Sequence, residues 1–168
     1  SELMSNVSSS IVGMVYNLQL MKYIGEDGVA TYGVLMYVQF VFVAIFIGYS
    51  IGTAPIVGYN YGATNYDELK NVRKKSIAIM FTTGITLSII AQLLAGTLAK
   101  IFVGYDQNLY VLTVHAFRIF SFAFILTGFN IFSSSFFTAL NNGAISALIA
   151  FLRTLVFQLG SVLMLPLI

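Results

Sequence analysis

The stretch "VATYGVLMYVQFVFVAIFIGYSIGTAPIVGYNYGATNY", Val29 to Tyr66, runs for thirty-eight residues without one Asp, Glu, Lys or Arg. A helix needs roughly 20 apolar residues to cross about 30 Å of hydrocarbon, so this run spans a bilayer with turns to spare. Its centre, "FVFVAIFI" at Phe40 to Ile47, is unbroken rather than alternating, which argues against a strand of a transmembrane barrel. Two further runs, Ser76 to Ala99 and Ile119 to Leu152, are equally free of charge. The expected fold class is therefore all-α and integral to a membrane.

Composition points the same way. Charged residues are 8% of the 168 and hydrophobic residues 58%, whereas a soluble domain is about a quarter charged. Mean hydropathy is +0.90. No domain of this size has enough interior to hide that much apolar surface from water. A secretory leader would be one short apolar stretch, but here such stretches recur along the chain. With no cysteine, disulfides, thiol chemistry and cysteine metal sites are excluded together. The net charge of +2 comes largely from Lys70, Arg73, Lys74 and Lys75, too local a cluster for a nucleic-acid surface. The bilayer is the expected partner, and nucleic acid is not.

Five apolar segments follow: Leu3 to Tyr23, Val29 to Val57, Ser76 to Val103, Tyr110 to Leu140 and Ala144 to Ile168. Between them "GEDG" (Gly25 to Gly28), "GYDQN" (Gly104 to Asn108) and "NNG" (Asn141 to Gly143) read as short turns. The long polar break is "NYGATNYDELKNVRKKS", in which Asn65 or Thr64 is expected to cap a short helix beginning near Asp67. The positive-inside rule puts this break, residues 58–75, in the cytoplasm and Glu26, Asp27 and Asp106 on the far side. The start at Ser1 and Glu2 and the still apolar "MLPLI" at the other end create the expectation of a segment from a longer membrane protein.

Few residues offer chemistry. Glu2 is either a carboxylate held in a span as a cation or proton site, or a solvated acid. The first segment is unusually polar, and Asn6, Ser10 and Asn17 fall with Met21 along one helical side, beside Met14 and Leu18. Such a side is expected to line a wet cavity or to pack against another helix. His115 and Arg118, one turn apart in the fourth segment, read as a pathway pair or as an interfacial anchor. Pro55, among Gly48, Gly52 and Gly58, marks a hinge or the cytoplasmic end of a helix. Tyr16, Tyr32, Tyr37, Tyr49, Tyr59 and Tyr61 could line a drug-sized pocket or mark interfaces. No metal-binding, phosphate-loop or nucleophile-elbow motif is present, so no metal, cofactor or enzyme activity is expected.

Three stretches carry a resemblance: "VYNLQLMKYIGEDGVATYGV" (Val15 to Val34), "IGYSIGTAPIVGYNYGATNYDELKNVRKKS" (Ile47 to Ser76) and "FSFAFILTGFNIFSSSFFTALNNGAISALIAFLR" (Phe120 to Arg153). Together they resemble the second half of a multidrug and toxic compound extrusion (MATE) transporter. The resemblance implies twelve helices in two pseudo-symmetric bundles, with this chain, residues 1–168, supplying helices seven to eleven of the C-terminal bundle. It implies export of organic cations by alternating access in exchange for Na+ or H+, with the N-terminal bundle and helix twelve as the missing partners. Glu2 then matches a helix-seven acid implicated in cation coupling. Asn17 matches the family's "YN", Pro55, Asn60 and Gly62 a gating or connecting pattern in helix eight, and Arg153 a helix-eleven arginine with a structural role. The fourth segment departs from members carrying a second acid in helix ten, because no carboxylate follows Asp106. A flippase of related topology for lipid-linked sugars and a non-transporting membrane scaffold are the alternative readings.

Overall fold

The computed structural model describes the backbone of residues 2–164 and the side chains of residues 7–164. Helix α1 (Glu2–Tyr23) leads through a tight turn into α2 (Glu26–Gly62), and three residues then connect to α3 (Tyr66–Val103). Next come α4 (Gln107–Ser121) and α5 (Ala123–Ala139), followed by α6 (Gly143–Phe151), which passes through a π-helical stretch, Leu152–Gln158, into α7 (Leu159–Met164).

Among the described residues three helical segments are long and apolar enough to cross a membrane: α2, α3 and the continuous run Gly143–Met164. The bent pair α4 and α5 makes a fourth if counted as one span. The chain is thus a multi-pass membrane bundle. The expectation of five spans meets its exception in α1, which is long enough at 22 residues but carries the serines and asparagines that lower its hydropathy.

The polar break at 58–75 is not a loop. Helix α2 has 37 residues and α3 has 38, so each is about 55 Å long at 1.5 Å per residue and outreaches the hydrocarbon. The charges of "YDELKNVRKK" sit on the first turns of α3, where Asp67 and Glu68 suit the positive end of the helix dipole. Asn65 is the cap, its Oδ1 accepting the Glu68 N–H at 3.4 Å. Thr64 instead takes a left-handed φ of 56° in the connection.

Pro55 does not end α2, which continues for seven residues beyond it. The proline withdraws the N–H that would bond to the Ile51 carbonyl. One turn earlier, Thr53 Oγ1 donates to the Tyr49 and Ser50 carbonyls at 3.0 and 3.2 Å, and Ser135 Oγ donates to Ser50 from α5 at 3.4 Å. These side chains supply polar contacts beside the broken position, and the helix persists.

The fourth segment, expected as one helix, bends by 48° at Phe122. The Phe122 N–H turns to the Ile119 carbonyl, leaving the Arg118 carbonyl to other donors. Ser121 Oγ bonds it at 2.7 Å and Gln92 Nε2, reaching across from α3, at 2.8 Å.

The core lies where α2, α3 and the α4–α5 pair meet, around Phe46, Met80, Phe117, Phe124 and Phe132. Gly128 is needed there, because a Cβ would stand 2.5 Å from the Phe46 ring. Gly84 lets α3 touch the α5 backbone, its ideal Cβ position lying 2.8 Å from the Phe124 carbonyl oxygen. Close backbone approach at small residues is how helices associate without a hydrophobic driving force from lipid. Hydroxyl pairs tie the helices further: Thr31 to Thr113 at 3.1 Å, Tyr49 to Ser76 at 3.0 Å and Ser134 to Ser146 at 3.0 Å.

Candidate functional site

Helix α1 stands apart from this core, packing on α2 and on the α6–π–α7 segment. Between α1, α2, the α4–α5 bend and the π-helical stretch lies a cavity of about 1010 Å³. Its α1 wall is Ser9, Val12, Gly13, Tyr16 and Leu20, spaced three or four residues apart as one helical face. Helix α2 contributes Thr31, Tyr32, Leu35, Met36 and Gln39, and the bend adds Phe120, Phe124, Thr127 and Asn130. The last wall is Arg153, Thr154, Phe157, Gln158 and Ser161.

Tyr16 and Tyr32 form a stacked pair across this cavity's α1 and α2 walls, ring centroids 5.1 Å apart and planes within 6°. They belong to the tyrosines expected at a pocket, whereas Tyr37 and Tyr59 are exposed and Tyr49 bonds Ser76 in the core region. The Gln39 Oε1 is buried without a hydrogen-bond partner. Arg153 is the one charged residue among the described lining residues, and it is half-buried.

The polar stripe of α1 lies elsewhere. Ser10 and Asn17 are exposed, as are Met14, Leu18 and Met21, and none of them lines the cavity. Asn17 Nδ2 donates locally to the Gly13 carbonyl at 3.0 Å. The side chains of Glu2 and Asn6 lie outside the described residues.

His115 and Arg118 are exposed on α4, away from the side that carries the lining residues Leu112, Ala116 and Phe120. Only the Arg118 backbone enters a described interaction network, at the bend. Pro55 is exposed, and Asn60 is buried with its Nδ2 donating to the Ile56 carbonyl at 2.9 Å. Gly62 is the last residue of α2, next to the capping Ala63. These three sit at the end of the bundle where Gly58 approaches the Ala139 carbonyl, and none of them lines the cavity. Gln39, Asn130 and Gln158 also line the cavity and carry no motif; the signal for it in the sequence is the helical face shared by Ser9, Gly13 and Tyr16.

The chain matches the MatE family over residues 3–162. A curated relative, the probable multidrug resistance protein YoeA of Bacillus subtilis, is 26% identical over 121 residues, 72% of this chain and 26% of the relative. The fold is similar to that of a multidrug resistance MATE family transporter of the MOP superfamily in an outward-facing conformation. That likeness has a TM-score of 0.86 at 25% identity and covers 93% of this chain and 35% of the other. It is likewise similar to a MOP superfamily transporter from Pyrococcus furiosus, described as having a binding pocket of reverse polarity. Here the TM-score is 0.87 at 25% identity, with 94% of this chain and 35% of the other covered. The chain therefore spans about a quarter to a third of these relatives. With the match running through nearly every residue and the same helical arrangement in solved members, this chain belongs to the MATE family of membrane transporters, whose members carry out transport rather than catalysis.

Proposed function

We propose that the chain forms helices seven to eleven of a two-bundle antiporter that exports organic cations or drugs across the cell membrane by alternating access, driven by Na+ or H+. The observation that carries this reading is the cavity inside the bundle, one wall of which is a face of α1. Glu2, at the start of the same helix, binds a cation or proton whose arrival and departure bias the tilt of the bundle.

In this reading the five crossings are α1, α2, α3, the α4–α5 pair and the α6–α7 run. Helix α1 tolerates its polarity because both of its polar sides meet protein or water. One side lines the internal cavity, and the other, with Ser10 and Asn17, faces the N-terminal bundle. Helix twelve and that bundle complete the transporter. The α2–α3 connection lies in the cytoplasm, as Lys70, Arg73, Lys74 and Lys75 direct. Pro55, Asn60 and Gly62 sit where α2 meets the cytoplasm and transmit the tilt.

Export of a fluorescent organic cation from proteoliposomes holding the full-length transporter tests the role of Glu2. Glu2→Gln abolishes gradient-driven export while Glu2→Asp retains part of it. Undiminished export by Glu2→Gln refutes the assignment.

A further inference from the structure

Arg153 is a half-buried guanidinium inside a membrane bundle, and among the described residues no hydrogen bond or ion pair joins it to another residue. An arginine at such depth is costly and is normally matched by a carboxylate, by backbone carbonyls or by water. The described carboxylates are elsewhere: Glu26, Asp27, Asp67, Glu68 and Asp106 are all exposed in the first turn or cap of a helix.

The local backbone is wound to keep Arg153 on the cavity. In an α-helix residues five apart point about 140° away from each other, so Arg153 and Gln158 would not share a wall. The π-helical stretch Leu152–Gln158 closes its bonds five residues apart and brings both to the same cavity. Opposite, on α2, the Gln39 side chain lines the same cavity. Most of the remaining wall is apolar, including Val12, Leu35, Phe124 and Phe157.

We propose that this cavity binds an anionic amphiphile, its phosphate or carboxylate head paired with Arg153 and donors from Gln158 and Gln39, its hydrocarbon along the apolar wall. A guanidinium grips such a head in a bidentate fork, and the apolar surroundings strengthen the pairing. The occupant also neutralises a positive charge that opposes entry of a coupling cation into the same cavity. Binding requires neither a gradient nor turnover, so it stands apart from the antiport reading.

The test uses the full-length protein in phosphatidylcholine nanodiscs with three photoreactive diazirine probes: a fatty acid, a lysophosphatidylglycerol and the fatty alcohol of equal length. Cross-linked peptides are located by mass spectrometry. Both anionic probes label peptides 9–20 and 153–161 roughly tenfold more than the alcohol does, and Arg153→Gln removes that excess while Arg153→Lys keeps part of it. Labelling by only one anionic probe identifies carboxylate or phosphate as the head. Labelling of the exposed α3 positions Ile89 and Leu93 stays constant in a folded variant, and if Arg153→Gln fails to fold, the acid-to-alcohol ratio in the unmodified protein decides. Equal labelling by acid and alcohol overturns the proposal. So does anion labelling that appears only in Glu2→Gln, which would make Arg153 the counter-charge of Glu2.

Discussion

Gln92 on α3 reaches Ser121 at the α4–α5 bend, its Nε2 donating to the Ser121 Oγ at 2.8 Å. The same amide nitrogen bonds the Arg118 carbonyl at 2.8 Å, so one side chain on a straight helix satisfies the carbonyl that the bent segment leaves open. The bend in turn aims Phe120, Phe124 and Asn130 at the cavity. Removing the donor loses two hydrogen bonds and leaves the Arg118 carbonyl to Ser121 Oγ alone. Gln92→Leu is expected to destabilise the protein by about 1–3 kcal/mol, about 0.5–1.5 kcal/mol for each bond lost, and a cycle with Ser121→Ala to show coupling between the two sites. Thermal unfolding of the purified variants in one detergent reads both; strictly additive losses would mean that the contact is incidental.

Gly128 gives a sharper packing test. A methyl group there meets the Phe46 ring at 2.5 Å, in a core with no spare space. Gly128→Ala should cost about 1–3 kcal/mol, and Phe46→Leu in the same chain should recover part of it by vacating the ring. The double variant unfolding below both singles would contradict this packing.

The stacked tyrosines provide a test at the cavity. Tyr16→Phe preserves the parallel rings 5.1 Å apart, while Tyr16→Ala removes one of them. An aromatic pair contributes about 0.5–1.5 kcal/mol beyond its buried area, so Tyr16→Ala is expected to lose at least that much stability and Tyr16→Phe to stay near normal. Thermal unfolding of both variants in one detergent compares them directly, and equal losses would contradict the stack.

Helix order fixes which connections share a side, and the proposed orientation puts the α2–α3 connection in the cytoplasm. The connections at Asn65 and Asn141 lie at one end of the bundle, and the turn at Asp106 at the other. The 168 residues contain no cysteine, so single Cys substitutions add unique labels within this segment. Asn65→Cys and Asn141→Cys should react with an impermeant maleimide only from the cytoplasmic face, and Asp106→Cys only from outside. Labelling of Asn65→Cys and Asp106→Cys from the same face would break the topology.

The apolar character of these helices was legible because hydrocarbon admits so few charges: the gaps between charges in the sequence largely coincide with α2, α3 and α4–α5. Asn65 was legible as a cap because its side-chain acceptor precedes two acids and a helical pattern. The bend was not, since neither proline nor glycine marks Phe122; the side chain that bonds it, Gln92, lies 29 residues upstream of Ser121 and on another helix. The segment at 58–75 looked like a loop because helix ends that leave the membrane become polar without ceasing to be helical. On α1, polarity drew attention to Ser10 and Asn17, while the cavity wall is made by Ser9, Gly13 and Tyr16 around the helix. A polar stripe records contact with water or protein, and it does not say which protein.

The most direct measurement of ion-coupled transport is efflux of a fluorescent organic cation from proteoliposomes of the full-length transporter, with sodium and proton gradients imposed one at a time. The account predicts export driven by at least one inward gradient and lost when that gradient is collapsed. Efflux that is indifferent to both gradients, or absent under either, would contradict it.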